Sequence, residues 1–521
     1  CGDMSGDVFG NGMLLSKAIK LVAAFDHRHI FLDPDPDPAA SHAERARLFA
    51  LPRSSWADYA GPISAGGGVH SRAAKSIAVT PEAARALGIE PGEMEPAQLI
   101  SAILKAPADL IWFGGIGTYV KAAAENNATV GDPANDRLRV DAEELRAVAI
   151  GEGANLGVTQ AARIAFAQRG GRINTDFIDN SAGVDCSDNE VNIKIALNRE
   201  MNEGRLAEAD RNALLAAMTD DVAHLVLEDN RLQTLALSVA EDDGASMMPS
   251  LVRLIEMFEA SGRLDRRVEG LAANQELLRR GQEGRGLTRP ELAVLLATAK
   301  LALQDAIEAS PLGTDPALLP DLHAAFPPAM RERFGAAIEA HRLRPQIVAT
   351  KLANRIVNRI GVLFPFELAE EEGAALHDVA EMFVVVERLF DLPELWRSIE
   401  TTPMPEAARL RLFDEVASGV RSHIADLLRV TDASETVGDV LGRLQPGVAA
   451  LGRAASSLLL EELRAQSDRI AAQLEATGVP ADLARRVVRL FELDGAIGLA
   501  DLGRRLGQDE TVLTRAFTAL G

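Results

Sequence analysis

The chain has 521 residues, 47% hydrophobic and 25% charged, a globular composition long enough for roughly two to four domains. A formal net charge of −22 argues against a nucleic-acid or anionic-membrane partner, since either needs a basic face, and no apolar run approaches the roughly 20 residues that span a bilayer. The opening Cys1-Gly2-Asp3-Met4 lacks the basic region and apolar core of a signal peptide, and Cys1 and Cys186 provide no disulfide framework, so a reducing cytoplasm fits best.

In chain order, residues 1–200 read as alternating helix and strand. The sequence opens inside a glycine-rich loop, Gly2-Asp3-Met4-Ser5-Gly6-Asp7-Val8-Phe9-Gly10-Asn11-Gly12, without the buried strand that normally feeds one; it therefore reads as a fragment or a product missing its front half. Val8, Met13, Leu14, Ile19 and Leu21 predict a helix over about 7–24. His29-Ile30-Phe31-Leu32-Asp33, cut off by Pro34, Pro36 and Pro38, predicts a buried strand ending in an acidic loop. Two further strands, 110–113 and 147–150, each run into a glycine turn, helical spacing follows over 159–168, and another strand starts at 172–175. Repeated strand, glycine turn and helix predict an α/β Rossmann-like domain with a parallel sheet, its first strand missing. From about residue 188 helices take over, at 208–228, 275–282, 288–310, 342–364, 378–390, 405–430 and 450–476, which makes 201–521 a mostly α-helical C-terminal region. Thr288-Arg289-Pro290-Glu291 combines a threonine cap, a first-turn proline and a third-position glutamate.

Glycines before a helix let backbone N–H groups approach a diphosphate. Asp33, at the end of the next strand, is placed to accept both ribose hydroxyls and so favours NAD, although its spacing from the loop exceeds the roughly 20 residues usual for this motif; Asp35 and Asp37 are alternatives. Gly114–Gly117, Glu152-Gly153-Ala154-Asn155 and Asp179-Asn180-Ser181-Ala182-Gly183 all follow strand ends, where a doubly wound sheet binds its ligand. An Asn amide donates and accepts, which suits a carboxamide or an amino-acid group. His27 and His29 have no Cys or third His nearby and His70 stands alone, so no metal site is expected. Cys186, between acidic neighbours, reads as inert, and Lys75 and Lys105 read as surface lysines.

The glycine loop, Phe25-Asp26-His27-Arg28-His29-Ile30-Phe31-Leu32-Asp33-Pro34 and Leu51-Pro52-Arg53-Ser54-Ser55-Trp56 resemble segments of the large-subunit bacterial NAD-dependent glutamate dehydrogenases, C-terminal portion. So do Leu287-Thr288-Arg289-Pro290-Glu291-Leu292-Ala293-Val294-Leu295 and Asn354-Arg355-Ile356-Val357-Asn358-Arg359 in the helical half. Glu152-Gly153-Ala154-Asn155 matches the general glutamate dehydrogenase pattern, and Asn180-Ser181-Ala182-Gly183-Val184 resembles its Asn-Ala-Gly-Gly-Val, departing at Ser181 and Ala182.

The resemblance implies that Gly2, Ser5 and Gly6 hold the diphosphate and Asp33 the adenosine ribose. Gly115 and Ile116 would line the adenosine side, Asn155 and Asn180 would lie by the nicotinamide, and Ser187 would touch the distal carboxylate of the substrate. It implies oxidative deamination of L-glutamate to 2-oxoglutarate and ammonium, NAD as cofactor, a homo-oligomer, and a catalytic lysine and aspartate in a domain preceding the glycine loop. This chain alone is then expected to be inactive. The alternative is a non-catalytic NAD-sensing or oligomerisation module.

Overall fold

The computed structural model describes residues 1–2, 11–242, 244–432 and 434–520. They fall into two units, one of Cys1–Gly183 with Arg266–Leu271 and Thr288–Ala293, the other of Val184–Asp265 with Ala272–Leu287 and Val294–Gly521.

The first unit carries the strands found among the described residues, in four small sheets. β1 (Ala23–Phe25), β2 (His29–Leu32) and β3 (Gly68–Ser71) are antiparallel, as are β4 (Ile77–Val79) and β5 (Gly92–Met94). β6 (Leu110–Phe113) pairs in parallel with β9 (Ala149–Glu152), and β7 (Val120–Lys121) with β8 (Val140–Asp141). A parallel bridge joins Ala149 to Arg172, with the helix Gln160–Gln168 between them in sequence. Cys1 continues this arrangement on the other side of β6: its amino group donates to the Trp112 carbonyl at 2.6 Å and its carbonyl accepts from Gly114 N–H at 3.0 Å, the parallel pattern.

The apolar run of β2 is buried on both faces. Ile30 and Leu32 join the main core with Phe25, Phe113, Ile150 and Val158, while Phe31 packs on the opposite side against Trp56, ring centres 4.7 Å apart. Both faces are covered, so the strand has no polar alternation.

Three sequence expectations change here. β2 does not lie in the parallel sheet. Asp26 Oδ1 accepts from the N–H groups of Arg28 and His29 at 2.7 and 2.6 Å, and this side-chain turn reverses the chain so that β2 runs antiparallel to β1. The helix expected over 7–24 is not formed in its described part. Instead a single 3-10 turn spans Asn11–Met13 and β1 begins at Ala23. The carbonyl of Met13 accepts from the buried Arg45 guanidinium at 3.1 and 3.2 Å and that of Leu14 approaches His42 Nε2 at 3.1 Å, so neither is free for an intrahelical bond. The strand expected at 172–175 reduces to the single bridge at Arg172, because Asp176–Asp179 is already helical.

The second unit is helical. Observed spans sharpen the expected ones: 342–364 divides into Arg344–Ile360 and Phe364–Glu372, since Gly361 takes φ 83° after the first helix. Residues 450–476 belong to two helices, Val437–Leu458 and Glu461–Ala476, separated at Leu459 and Leu460 in extended backbone. The start signal at 288 operates as read: Thr288 N–H and Oγ1 both reach Glu291 Oε2 at 2.7 Å. No helix among the described residues is long and apolar enough to cross a membrane.

Charge also ties helices together in this unit. Lys351 Nζ, on Arg344–Ile360, donates to Asp229 Oδ2, on Thr219–Asp242, at 2.6 Å. Asp185, on Ser181–Asn202, faces Asp229, Asp188, Lys351 and Lys300; burial and the Asp229 charge push its carboxyl up to about 6. Burial pushes the Lys300 ammonium down to about 8, against the pull of Asp229 and Asp185. A carboxyl raised in the folded state favours folding while protonated, and that contribution is lost as the pH rises from 3.8 through about 6. Thermal melts of Asp185→Asn should therefore show a smaller fall in Tm across this window than the unaltered chain. Parallel profiles would contradict the assignment.

Candidate active site

The carboxyl ends of the parallel strands β6 and β9 meet at a cavity of about 690 Å³, lined by Ile116, Gly117, Tyr119, Asn155 and Leu156 from the segments after those strands. His27, Arg72, Asp132 and Asn135 complete its polar wall. A crevice outside the carboxyl ends of parallel strands is where open α/β sheets bind ligands. The segment after β6 needs glycine to turn there: Gly117 has φ 124°, and a Cβ would lie 2.6 Å from Tyr119 Oη. Asp132 Oδ2 braces the wall by accepting from Thr118 N–H at 2.8 Å and Asn135 Nδ2 at 2.7 Å.

Gly2 and Gly115 are brought together. Gly2 has φ 113°, and a Cβ there would sit 2.5 Å from the Gly115 carbonyl oxygen, so only glycine permits this backbone approach. Ser5 and Gly6 lie outside the described residues. Ile116 and Asn155 share the cavity, and Asn180 Nδ2 donates to Asn155 Oδ1 at 2.6 Å. Asp33 does not line this cavity. It ends β2 almost fully buried, its Oδ1 accepting from Ser64 N–H at 3.1 Å and from Ser64 Oγ. Of its alternatives, Asp37 caps the helix Pro38–Ala50 through Ala40 N–H, and Asp35 pairs with Lys20 at 3.2 Å. Ser187 is exposed on the helix Ser181–Asn202.

Asn155 is positioned from beneath by a buried ion network. Glu152, 0% exposed, takes Arg163 in a two-point pair at 2.7 and 2.9 Å and accepts from Val158 N–H at 3.2 Å. Arg163 also reaches Asp176 Oδ1 at 3.2 Å. Asp176 Oδ2 accepts from Leu156 N–H at 2.8 Å, which holds Leu156 at φ 59°. Asp179 accepts from Glu152 N–H at 3.0 Å and from Asn174 Nδ2 at 2.8 Å, and the Arg289 guanidinium braces Asn174 at 2.8 Å. Burial pushes the Glu152 carboxyl up, while the Arg163 guanidinium beside it pulls the other way. The loops that present Asn155 and Asn180 are thus both tied to this one guanidinium.

Sequence reasoning missed His27, Arg72, Asp132 and Asn135. Arg72 follows β3 and His27 lies in the β1–β2 turn; the antiparallel pairing puts both at the same end, and Arg72 Nη1 donates to the Asp26 carbonyl at 2.6 Å. Their proximity arises from a register set some 40 residues apart in the chain, so the segment that contains His27 does not by itself point to Arg72. Among the expected bystanders, Lys75 is exposed and Lys105 pairs with Glu144 at 3.3 Å. Burial and Asp185 push the Cys186 thiol up, away from a reactive thiolate. His423, Asp426 and Asp494 are the group among the described residues whose ligand atoms come within 4.8 Å of one another; His423 Nε2 is engaged with the Leu490 carbonyl at 3.0 Å.

Arg163→Met leaves the carboxylates of Glu152 and Asp176 buried without their cation. Urea unfolding is expected to register a loss of about 3–5 kcal/mol. A loss below about 1 kcal/mol, the worth of an exposed pair, would show that the network is not what holds these loops.

Comparison with known proteins accords with this geometry. Residues 1–240 match the family model of the bacterial NAD-glutamate dehydrogenase catalytic domain, and residues 284–521 match the glutamate dehydrogenase C-terminal model. The chain is similar to the NAD-specific glutamate dehydrogenase of Pseudomonas aeruginosa, at 46% identity over 100% of this chain and 32% of that protein. Similar proteins of the same name occur in Halomonas elongata (42%, over 100% of the chain and 32% of that protein) and Mycobacterium tuberculosis (45%, over 93% and 30%). The chain spans about a third of the length of these relatives. Two family matches, over 1–240 and 284–521, and alignment along the whole of this chain lead to one assignment: the chain belongs to the bacterial NAD-glutamate dehydrogenase family.

Proposed function

We propose that the chain supplies the NAD side of the active-site cleft of an NAD-dependent glutamate dehydrogenase, which oxidises L-glutamate to 2-oxoglutarate and ammonium while NAD is reduced. The observation that carries this reading is the Asn155–Asn180 amide pair beside the cavity at the carboxyl ends of β6 and β9. On this reading residues 1–200 form a Rossmann-like domain, in which Cys1, β6, β9 and Arg172 run side by side in parallel and Gln160–Gln168 is a crossover helix. The names of the relatives and of the family model support NAD as the cofactor.

The close approach of Gly2 to Gly115 fits a diphosphate, because main chain without side chains leaves N–H groups within reach of its oxygens. Ser5 and Gly6 belong to the same loop. The resemblance assigns the adenosine ribose to Asp33, which ends β2 buried and held through Oδ1 by Ser64. Ile116 lines the adenosine side. With Asn155 Oδ1 engaged by Asn180, the remaining Asn155 Nδ2 donor and Asn180 Oδ1 acceptor complement a carboxamide. NAD, when bound, supplies the hydride acceptor. Orienting the ring that receives the hydride is the task this leaves to Asn155 and Asn180. The Ser187 hydroxyl is assigned to the distal carboxylate of glutamate. No residue of this chain is assigned as the lysine or aspartate that polarises the keto group and moves protons, so the chain alone is expected to turn nothing over. The family resemblance adds a homo-oligomer, and the two free cysteines fit a reducing cytoplasm.

Absorbance at the NADH band tests the reading in the full-length protein. Glutamate-dependent reduction of NAD is expected, and Asn155→Leu should raise the KM for NAD about 10-fold, the worth of one hydrogen bond of about 1.4 kcal/mol. Activity no greater than background in the unaltered full-length protein would overturn it.

A further inference from the structure

A second cavity, of about 520 Å³, lies inside the helical unit, a volume within the range of small-molecule sites (about 300–1,000 Å³). Its walls are largely apolar, formed by Leu235, Val239, Leu251, Val362 and Phe413. Into this lining comes Asn358, on the helix Arg344–Ile360; it is only 8% exposed, and its Oδ1 has no hydrogen-bond partner. Buried amides are ordinarily satisfied, and one left open beside a cavity calls for a partner that enters from outside. Arg421 Nε, on another lining residue, is likewise buried without a partner.

Charge narrows what that partner is. Each lining arginine is already paired with a carboxylate: Arg359 with Glu400 at 2.6 Å (which Arg231 shares at 3.0 Å), Arg421 with Glu371 at 2.8 Å, and Arg429 with Glu372. The guanidinium charges are compensated, so an ionic guest would find no uncompensated counter-charge among them and would still lose its hydration. The unmet demands are one acceptor, Asn358 Oδ1, and one donor, Arg421 Nε–H. A primary amide carries the complement of each, an N–H for the first and a carbonyl for the second.

We propose that this cavity is a binding site for a small uncharged molecule with an apolar body and an amide-like edge, read by Asn358 and Arg421. The site lies within the helical unit and does not depend on the assignment of the NAD cleft.

Benzamide, an aromatic body bearing one primary amide, is the probe, with ethylbenzene as its apolar counterpart. Calorimetry and ligand-observed NMR on the full chain should show saturable benzamide binding at one site, with a Kd of about 1 mM or tighter, as befits a ligand of this size. Asn358→Leu should weaken benzamide at least 10-fold and leave ethylbenzene as tight or tighter. Val239→Trp, which fills the cavity from the helix Thr219–Asp242, should abolish binding of both while circular dichroism reports an unchanged fold. If Asn358→Leu does not fold, Val239→Trp decides the location, and the preference of the unaltered chain for benzamide over ethylbenzene decides the chemistry. No saturable benzamide binding, equal binding by Asn358→Leu, or binding that survives Val239→Trp would each overturn the proposal.

Discussion

Arg163 is the cation on which the candidate active site rests. It sits between Glu152, at the end of β9, and Asp176, at the start of the next short helix, with almost no access to solvent. Removing three charged groups from water costs several kcal/mol each, and only near-complete pairing offsets that cost. The pairing here is dense, since the two-point Glu152–Arg163 contact, the Asp176 contact and backbone donors from Val158 and Leu156 fill the available positions. What the arrangement secures is placement. Leu156 is held in a left-handed conformation that a branched side chain disfavours, and the chain is thereby turned so that Asn155 meets Asn180. Under the proposed function, in which these amides orient a planar ring, such rigidity matters because small misplacements carry large kinetic penalties.

The parts of this site legible in the sequence were those written in local chemistry. Strand followed by glycine turn located β6 and β9, and the amides at 155 and 180 stood out as donor–acceptor groups at strand ends. Thr288 and Glu291 announced a helix start that the structure contains in atomic detail. What escaped was set by distant contacts. The stretch 11–22 has helical spacing, yet Arg45 and His42 draw its carbonyls away, and nothing near residue 13 foretells a guanidinium from residue 45. The antiparallel course of β2 turns on Asp26, whose side chain was not recognised as a turn former. Glu152 appeared as part of a motif, but its role as the partner of Arg163 depends on the helix Gln160–Gln168 packing back beneath β9.

The helical unit handles charge in a different way. Many of its arginines meet carboxylates on neighbouring helices, often in shared networks, as in Glu400 with Arg359 and Arg231, and Asp501 with Arg443, Arg504 and Arg505. Matched pairs between helices fix register more than they add stability, most being at least partly exposed. Asn358 Oδ1 is one of several buried polar atoms of this unit without a hydrogen-bond partner, and it is set apart, with Arg421 Nε, by lining a cavity; Asp185 and Lys300 are two titrating groups moved toward neutrality by burial.

The central claim is that this chain binds NAD across the carboxyl ends of β6 and β9. Diffraction from crystals of the chain grown with NAD measures it most directly. The expected density places the carboxamide against Asn155 and Asn180 and the diphosphate against Gly2 and Gly115. NAD bound away from these residues, or no NAD density in crystals soaked at concentrations well above the KM of the full-length protein, would contradict the account.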